Sequence, residues 1–215
     1  MNKPISATDT AKISVPAARV AIAAAGAVIL LLTGLHVLSP EFDPSFRVLS
    51  EYANGEYSWV LSLLFLAWAL SSWALAVAIW SQVNGIGGKL GLGFLIAAGV
   101  GEAMASVFDI NHPLHNLAGM IGVLSLPAAA MLISVRLVRT PAWLGGRKML
   151  LWTANLTWAS LVLMFAALFI MIRGYTLFGN RLIFVGWANR LLVVVYCVWV
   201  VTVAVQALKL RRALC

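Results

Sequence analysis

Charge is scarce in this chain. Only 10% of its 215 residues are charged, and only seven of those are acidic. A water-soluble domain needs a larger polar surface, so a soluble globular fold is excluded as the leading class. Cysteine is nearly absent as well: Cys197 sits inside an apolar run and Cys215 at the C-terminus. Neither has a partner at a metal-ligand spacing or in reach for a bridge, so no disulfide framework is expected. No low-complexity tract, internal repeat or linker long enough to separate domains interrupts the sequence, and residues 1–215 read as a single domain.

What the chain has instead is hydrophobic residue, 62% of the total. A helix needs roughly 20 consecutive apolar residues to cross a bilayer core. Six stretches qualify: Ala17 to Leu38, Trp59 to Trp80, Leu90 to Phe108, Leu117 to Leu137, Leu150 to Ile172 and about Ile183 to Leu208. Between them lie Ser39-Pro40 with Asp43-Pro44, Asn84-Gly85 with Gly87-Gly88, Asn111 to Pro113, Pro141 with Gly145-Gly146, and Gly179-Asn180, all helix breakers. Lys3, Lys12 and Arg19 precede an apolar run that continues to about Leu38, which reads as a retained first span rather than a cleaved signal peptide. The expected architecture is therefore an all-α, polytopic bundle of six transmembrane helices.

Orientation follows from the basic residues, which are retained on the cytoplasmic side. With the N-terminus inside, eleven of the fifteen fall at inner ends, leaving Arg47, Arg173, Arg181 and Arg190 in the outer half. Both termini are thus expected in the cytoplasm, with the chain in the cell's inner membrane. The net charge of +8 is spread in short clusters between apolar runs, which argues for topology signals and against nucleic-acid binding. Six of the seven acids fall in the outer half, only Asp9 inside. Trp59 and Trp187 near outer ends, with Trp80 and Trp152 near inner ends, suit interfacial anchoring. Gly93, Ala97, Gly101 and Ala105 form a small-residue stripe that would let the third span sit in the middle of the bundle. Pro127 within the fourth span is a place for a kink.

The polar residues that matter converge on the outer end. The longest outer connector, Ser39 to Ser58, alternates Phe42, Phe46, Val48, Leu49 and Tyr52 with charges, which suits a short segment in the interface plane, covering the bundle mouth or merely solvated. Glu102 lies about seven residues before Asp109, so roughly 10 Å into the membrane. Arg190 lies at comparable depth in the sixth span, and the two are natural partners, to fix packing or also to line a cavity. His36, His112 and His115 fall at outer helix ends and, with Asp109, are the candidate set for a zinc or other transition metal, but their spacing is better accounted for by ordinary interfacial hydrogen bonding. No cofactor is required. Ser39 and Ser50 are available nucleophiles, and Ser50-Glu51 near a histidine could form a hydrolytic set, but no elbow or oxyanion motif accompanies them. Asn116 and Asn180 are candidate helix caps, and Arg173, Arg181 and Arg190 near those N-termini favour an anionic head group.

Asp43-Pro44 followed by Leu49-Ser50-Glu51-Tyr52, Phe108-Asp109 followed by His115-Asn116 with Gly119, and Gly186 followed by Asn189-Arg190 together resemble the bacterial membrane family labelled domain of unknown function 998. The resemblance runs from about His36 to the sixth span. It implies the six-span fold and places Asp43, Ser50, Glu51, Asp109, His115 and Arg190 in one shared arrangement, but it implies no reaction. Three functions remain open: an outer cavity that binds the head group of a lipid or other amphiphile, a metal-assisted membrane enzyme acting on lipid with Glu51 or Glu102 as base, and a structural or interaction protein whose partners are the membrane lipids.

Overall fold

A computed structural model describes residues 13–173 and 184–213, with the side chain of Arg173 excluded. Among these residues there are six long α-helices and no strand: α1 (Val15–Leu38), α2 (Ser58–Ile79), α3 (Ile86–Val107), α4 (His115–Leu137), α5 (Arg147–Arg173) and α6 (Val185–Arg212). All six are long and apolar enough to cross a membrane. Two 3-10 turns, Leu49–Asn54 and Pro141–Gly146, lie in connectors.

Helix ends fall where local chemistry puts them. Pro16 stands in the first turn of α1, where its missing N–H leaves no hydrogen bond unmade. α3 starts four residues before the predicted position and takes Lys89 into its first turn. α6 extends four residues further than expected, ending on Lys209, Arg211 and Arg212, whose charges suit the negative end of a helix dipole. α4 begins at His115, so Asn116 lies inside the first turn rather than capping it. The α-helix of α4 runs through Pro127. Asn180 lies outside the described residues.

Consecutive helices pack side by side, and α6 returns to α1, which closes a ring of six. α2 and α6 also touch across the middle. The expectation that the third span is central is therefore overturned: α3 packs chiefly on α2 and α4. The small-residue stripe misled because only some of it faces a neighbour. A Cβ on Gly101 would collide with the backbone of Gly122 and Ala118 on α4, whereas one on Gly93 would meet nothing within 4 Å. Gly101 thus lets two backbones touch, and Gly93 opens on the flank.

The interior is built of Leu, Val and Ala, with aromatic bulk at Trp68, Tyr196 and Trp199. Leu66, Val77, Val107, Val162 and Ile172 are exposed on the flanks, as a lipid-facing surface requires. Trp59, Trp80, Trp152 and Trp187 are also exposed. The helix ends near residues 39–57 and 108–114 form one end of the bundle, the acidic end, which carries Glu41, Asp43, Glu51, Glu56 and Asp109.

Candidate functional site

Two arrangements of polar side chains occupy the acidic end. The first is a clamp around Arg190, in the second turn of α6. This guanidinium is 3% exposed and donates four hydrogen bonds: Nε to His36 Nε2 at 2.7 Å, Nη1 to Arg47 O at 2.7 Å and to Gly186 O at 3.0 Å, and Nη2 to the Tyr52 hydroxyl at 3.1 Å. Four of its five N–H groups are thus satisfied. The Tyr52 ring also lies under the cation, 5.6 Å from centroid to Cζ. No ion pair neutralises Arg190 among the described residues.

His36 shows how closely this clamp is specified. Its Nδ1 is 2.6 Å from Leu32 O, an atom that can only accept, so Nδ1 carries the proton. Nε2 is then the lone-pair nitrogen, which is the form needed to accept from arginine. The connector is tied to α6 at further points. Leu49 N donates to Asn189 Oδ1 at 2.8 Å, Gly186 N to Ser45 O at 3.2 Å, and Trp187 Nε1 to Ser45 Oγ at 3.2 Å. Gly186 makes this approach possible, because a Cβ there would run into the carbonyl oxygens of Pro44 and Arg47. Asp43 accepts from Ser45 N at 2.8 Å and shapes the turn, while Glu51 pairs with Arg47 at 2.7 Å and accepts from Val48 N at the start of the 3-10 turn.

The connector is packed against the end of the bundle, as a segment covering its mouth would be. Leu49 and Tyr52 are buried and Phe42 packs on the core, so its apolar side faces the bundle. A polar segment whose groups are bonded within the protein can be buried here, whereas its backbone would find no partners in lipid.

The second arrangement is a cavity of about 140 Å3 between the connector, α2, the end of α3 and the start of α4. Ser50, Ser58, Ser62, Ser106, Asp109 and His115 supply its polar wall, and Leu61, Phe65 and Ala105 its apolar floor. His115 Nδ1 donates to Phe108 O at 2.8 Å, which fixes the orientation of the ring. Asp109 Oδ1 accepts from Asn111 N at 2.8 Å, and Asn111 Nδ2 donates to Asn54 Oδ1 at 2.9 Å, joining the two connectors over the cavity. Ser62 is exposed, so the cavity reaches the flank of the bundle as well as its end.

These positions correct several expectations. Glu102 and Arg190 form no pair: Glu102, 4% exposed, accepts from Ser72 Oγ at 2.9 Å through Oε2, and its Oε1 has no hydrogen-bond partner among the described residues. The two lie at similar depth, but α3 is separated from α6 by α2 and α4, and depth alone does not give azimuth. The metal set does not assemble either. No group of three or more His, Cys, Asp or Glu converges among the described residues. His36 serves the clamp, His115 lines the cavity, and His112 stacks on Phe108 at 4.5 Å while its Nδ1 accepts from Leu114 N. Arg190 is engaged by protein groups, which removes it as a receptor for an anionic head. Arg181 and the Arg173 side chain lie outside the described residues.

Sequence reasoning missed Ser62 and Ser106. Ser62 lies one turn inside its span and Ser106 just before the end of its own, both at the same end of the bundle, and that placement was the available signal. Tyr52, Gly186 and Asn189 were visible only within short motifs, without the bonds that explain them.

A ring of six apolar helices with a polar, pinned cap at one end defines a multi-pass membrane protein. The family model described as "Protein of unknown function (DUF998)" matches residues 21–206, and the chain belongs to that family. No curated protein and no solved structure matches it.

Proposed function

We propose that the cavity at the acidic end receives the polar head of a lipid or similar amphiphile. The observation that carries this reading is the composition of one small space: four serine side chains, an imidazole and a carboxylate above an apolar floor, reaching the flank where Ser62 is exposed. A head group with hydroxyl or amine donors fits this wall, because Asp109 opposes an anion and Arg190 is already committed. The apolar remainder of the ligand would leave between α2 and α3. The bias of basic residues supports an outer-side position for this end in an inner membrane, with both termini cytoplasmic.

Native mass spectrometry of the gently extracted protein tests the reading. A retained amphiphile is expected, and Ser62→Leu should remove one bound molecule by filling the opening. Retention unchanged in Ser62→Leu, or no retained amphiphile in the parent protein, would overturn it. Orientation is checked separately by a membrane-impermeant thiol reagent on Asn54→Cys, which should react from outside intact cells.

A second reading, a lipid-directed enzyme, is favoured by one observation: Ser50 and His115 border the same cavity, the histidine with its ring held by Phe108 O. A serine-reactive fluorophosphonate that labels the protein, but not Ser50→Ala, would support it. Without labelling, the binding reading stands alone.

A further inference from the structure

At the opposite end of the bundle, where α2 gives way to α3, a trough of about 400 Å3 runs along the flank. Lys89, Leu92, Gly93 and Ile96 line it from one face of α3, being spaced i, i+3, i+4 and i+7. Trp80 and Asn84 form its rim. The trough exists because Gly93 brings no side chain into it: a Cβ at that position would meet nothing within 4 Å.

Its polarity is graded. Lys89 stands in the first turn of α3, while Leu92 to Ile96 lie roughly 5 to 10 Å deeper at 1.5 Å per residue. A second cation lies near this rim: the guanidinium carbon of Arg136 is 3.9 Å from the Cβ position of Gly85, the residue that follows Asn84. Nothing anionic opposes these charges among the described residues, whose six acids all lie in the half of the bundle toward the acidic end. Trp80 is exposed where polar rim meets apolar trough, a position suited to the level of lipid head groups.

We propose that this trough binds one anionic glycerophospholipid, its phosphate at Lys89 and Arg136 and an acyl chain along Leu92, Gly93 and Ile96. A soluble anion makes no use of the apolar trough. A zwitterionic lipid gains less from two cations that no acid opposes among the described residues. The site is remote from the cavity and does not depend on the reading given to it.

The test uses the full chain, equilibrated with vesicles of equal phosphatidylglycerol and phosphatidylcholine, extracted gently and weighed by native mass spectrometry. One phosphatidylglycerol adduct should be retained in preference to phosphatidylcholine. Lys89→Gln should cut that preference about fivefold, the effect of roughly one basic residue near an anionic surface. Lys89→Glu, at an exposed position that leaves the fold undisturbed, should abolish it. Gly93→Leu should remove the adduct with both charges intact, whereas Ser62→Leu in the cavity should leave it unchanged. Equal retention of the two lipids, indifference to both Lys89 variants, or displacement of the adduct by inorganic phosphate would overturn the proposal.

Discussion

The clamp and the cavity share one end of the bundle, yet they treat polar groups in opposite ways. Around Arg190 the hydrogen-bonding capacity is taken up within the protein, down to the tautomer of His36. In the cavity, Ser50, Asp109 and His115 border a space. Residues of one family motif therefore need not share a role. Leu49-Ser50-Glu51-Tyr52 is divided within four residues: the Leu49 amide and the Tyr52 hydroxyl are bonded to α6, Glu51 holds Arg47, and Ser50 turns to the cavity. The clamp fixes the connector, and the connector supplies one wall of the cavity.

Substitutions can separate the two regions. The largest loss is expected from Arg190→Met, which leaves His36 Nε2, the Arg47 carbonyl and the Tyr52 hydroxyl without their donor. Unsatisfied buried polar groups cost about 1–3 kcal/mol each, so thermal unfolding in detergent should show a loss of several kcal/mol. Arg190→Lys should rescue little of it, because an ammonium cannot reproduce the planar fork. If Arg190→Lys unfolds at the parent temperature, the clamp is not what holds this end together.

Gly186→Ala should come next. Its methyl group would overlap two carbonyl oxygens, and forced repacking of this kind costs about 1–3 kcal/mol. Limited proteolysis within 39–57 should rise in parallel, since the added group pushes the connector off α6. An unchanged cleavage rate would detach Gly186 from the clamp.

Smaller is His36→Gln, whose amide oxygen can still accept from Arg190 but which cannot also hold the Leu32 carbonyl in the same geometry. A loss of about 1 kcal/mol is expected from the same unfolding measurement. The smallest stability effect belongs to the cavity: Ser50→Ala should move unfolding by no more than about 0.5 kcal/mol while lowering amphiphile retention. A Ser50→Ala protein as damaged as the Arg190 variants would show that the cavity is only an extension of the clamp.

Much of the fold was legible because lipid simplifies the rules. A span must satisfy its own backbone, so length and hydropathy alone placed all six helices, and breakers placed the connectors. Helix ends were read less well: Lys89 and the basic residues after Leu208 were left outside helices that include them, since charge marks the membrane boundary and not the end of hydrogen bonding. The site was legible as a set of residues at one end. Its wiring was not, because the depth of a residue follows from its number in the helix, whereas its azimuth depends on which helix lies beside it.

The order of amino acids was enough to establish six apolar spans, the gathering of acids and histidines in one half, and the DUF998 motifs, because apolar length and charge act along one dimension. Packing of the helices was needed to join Arg190 to His36 and Tyr52 rather than to Glu102, to turn Glu102 to Ser72, and to bring Ser50, Asp109 and His115 to one cavity. A hydrogen bond requires an approach within about 3 Å and a defined direction. Both come from the order of helices around the ring, set by close contacts such as Gly101 on Gly122.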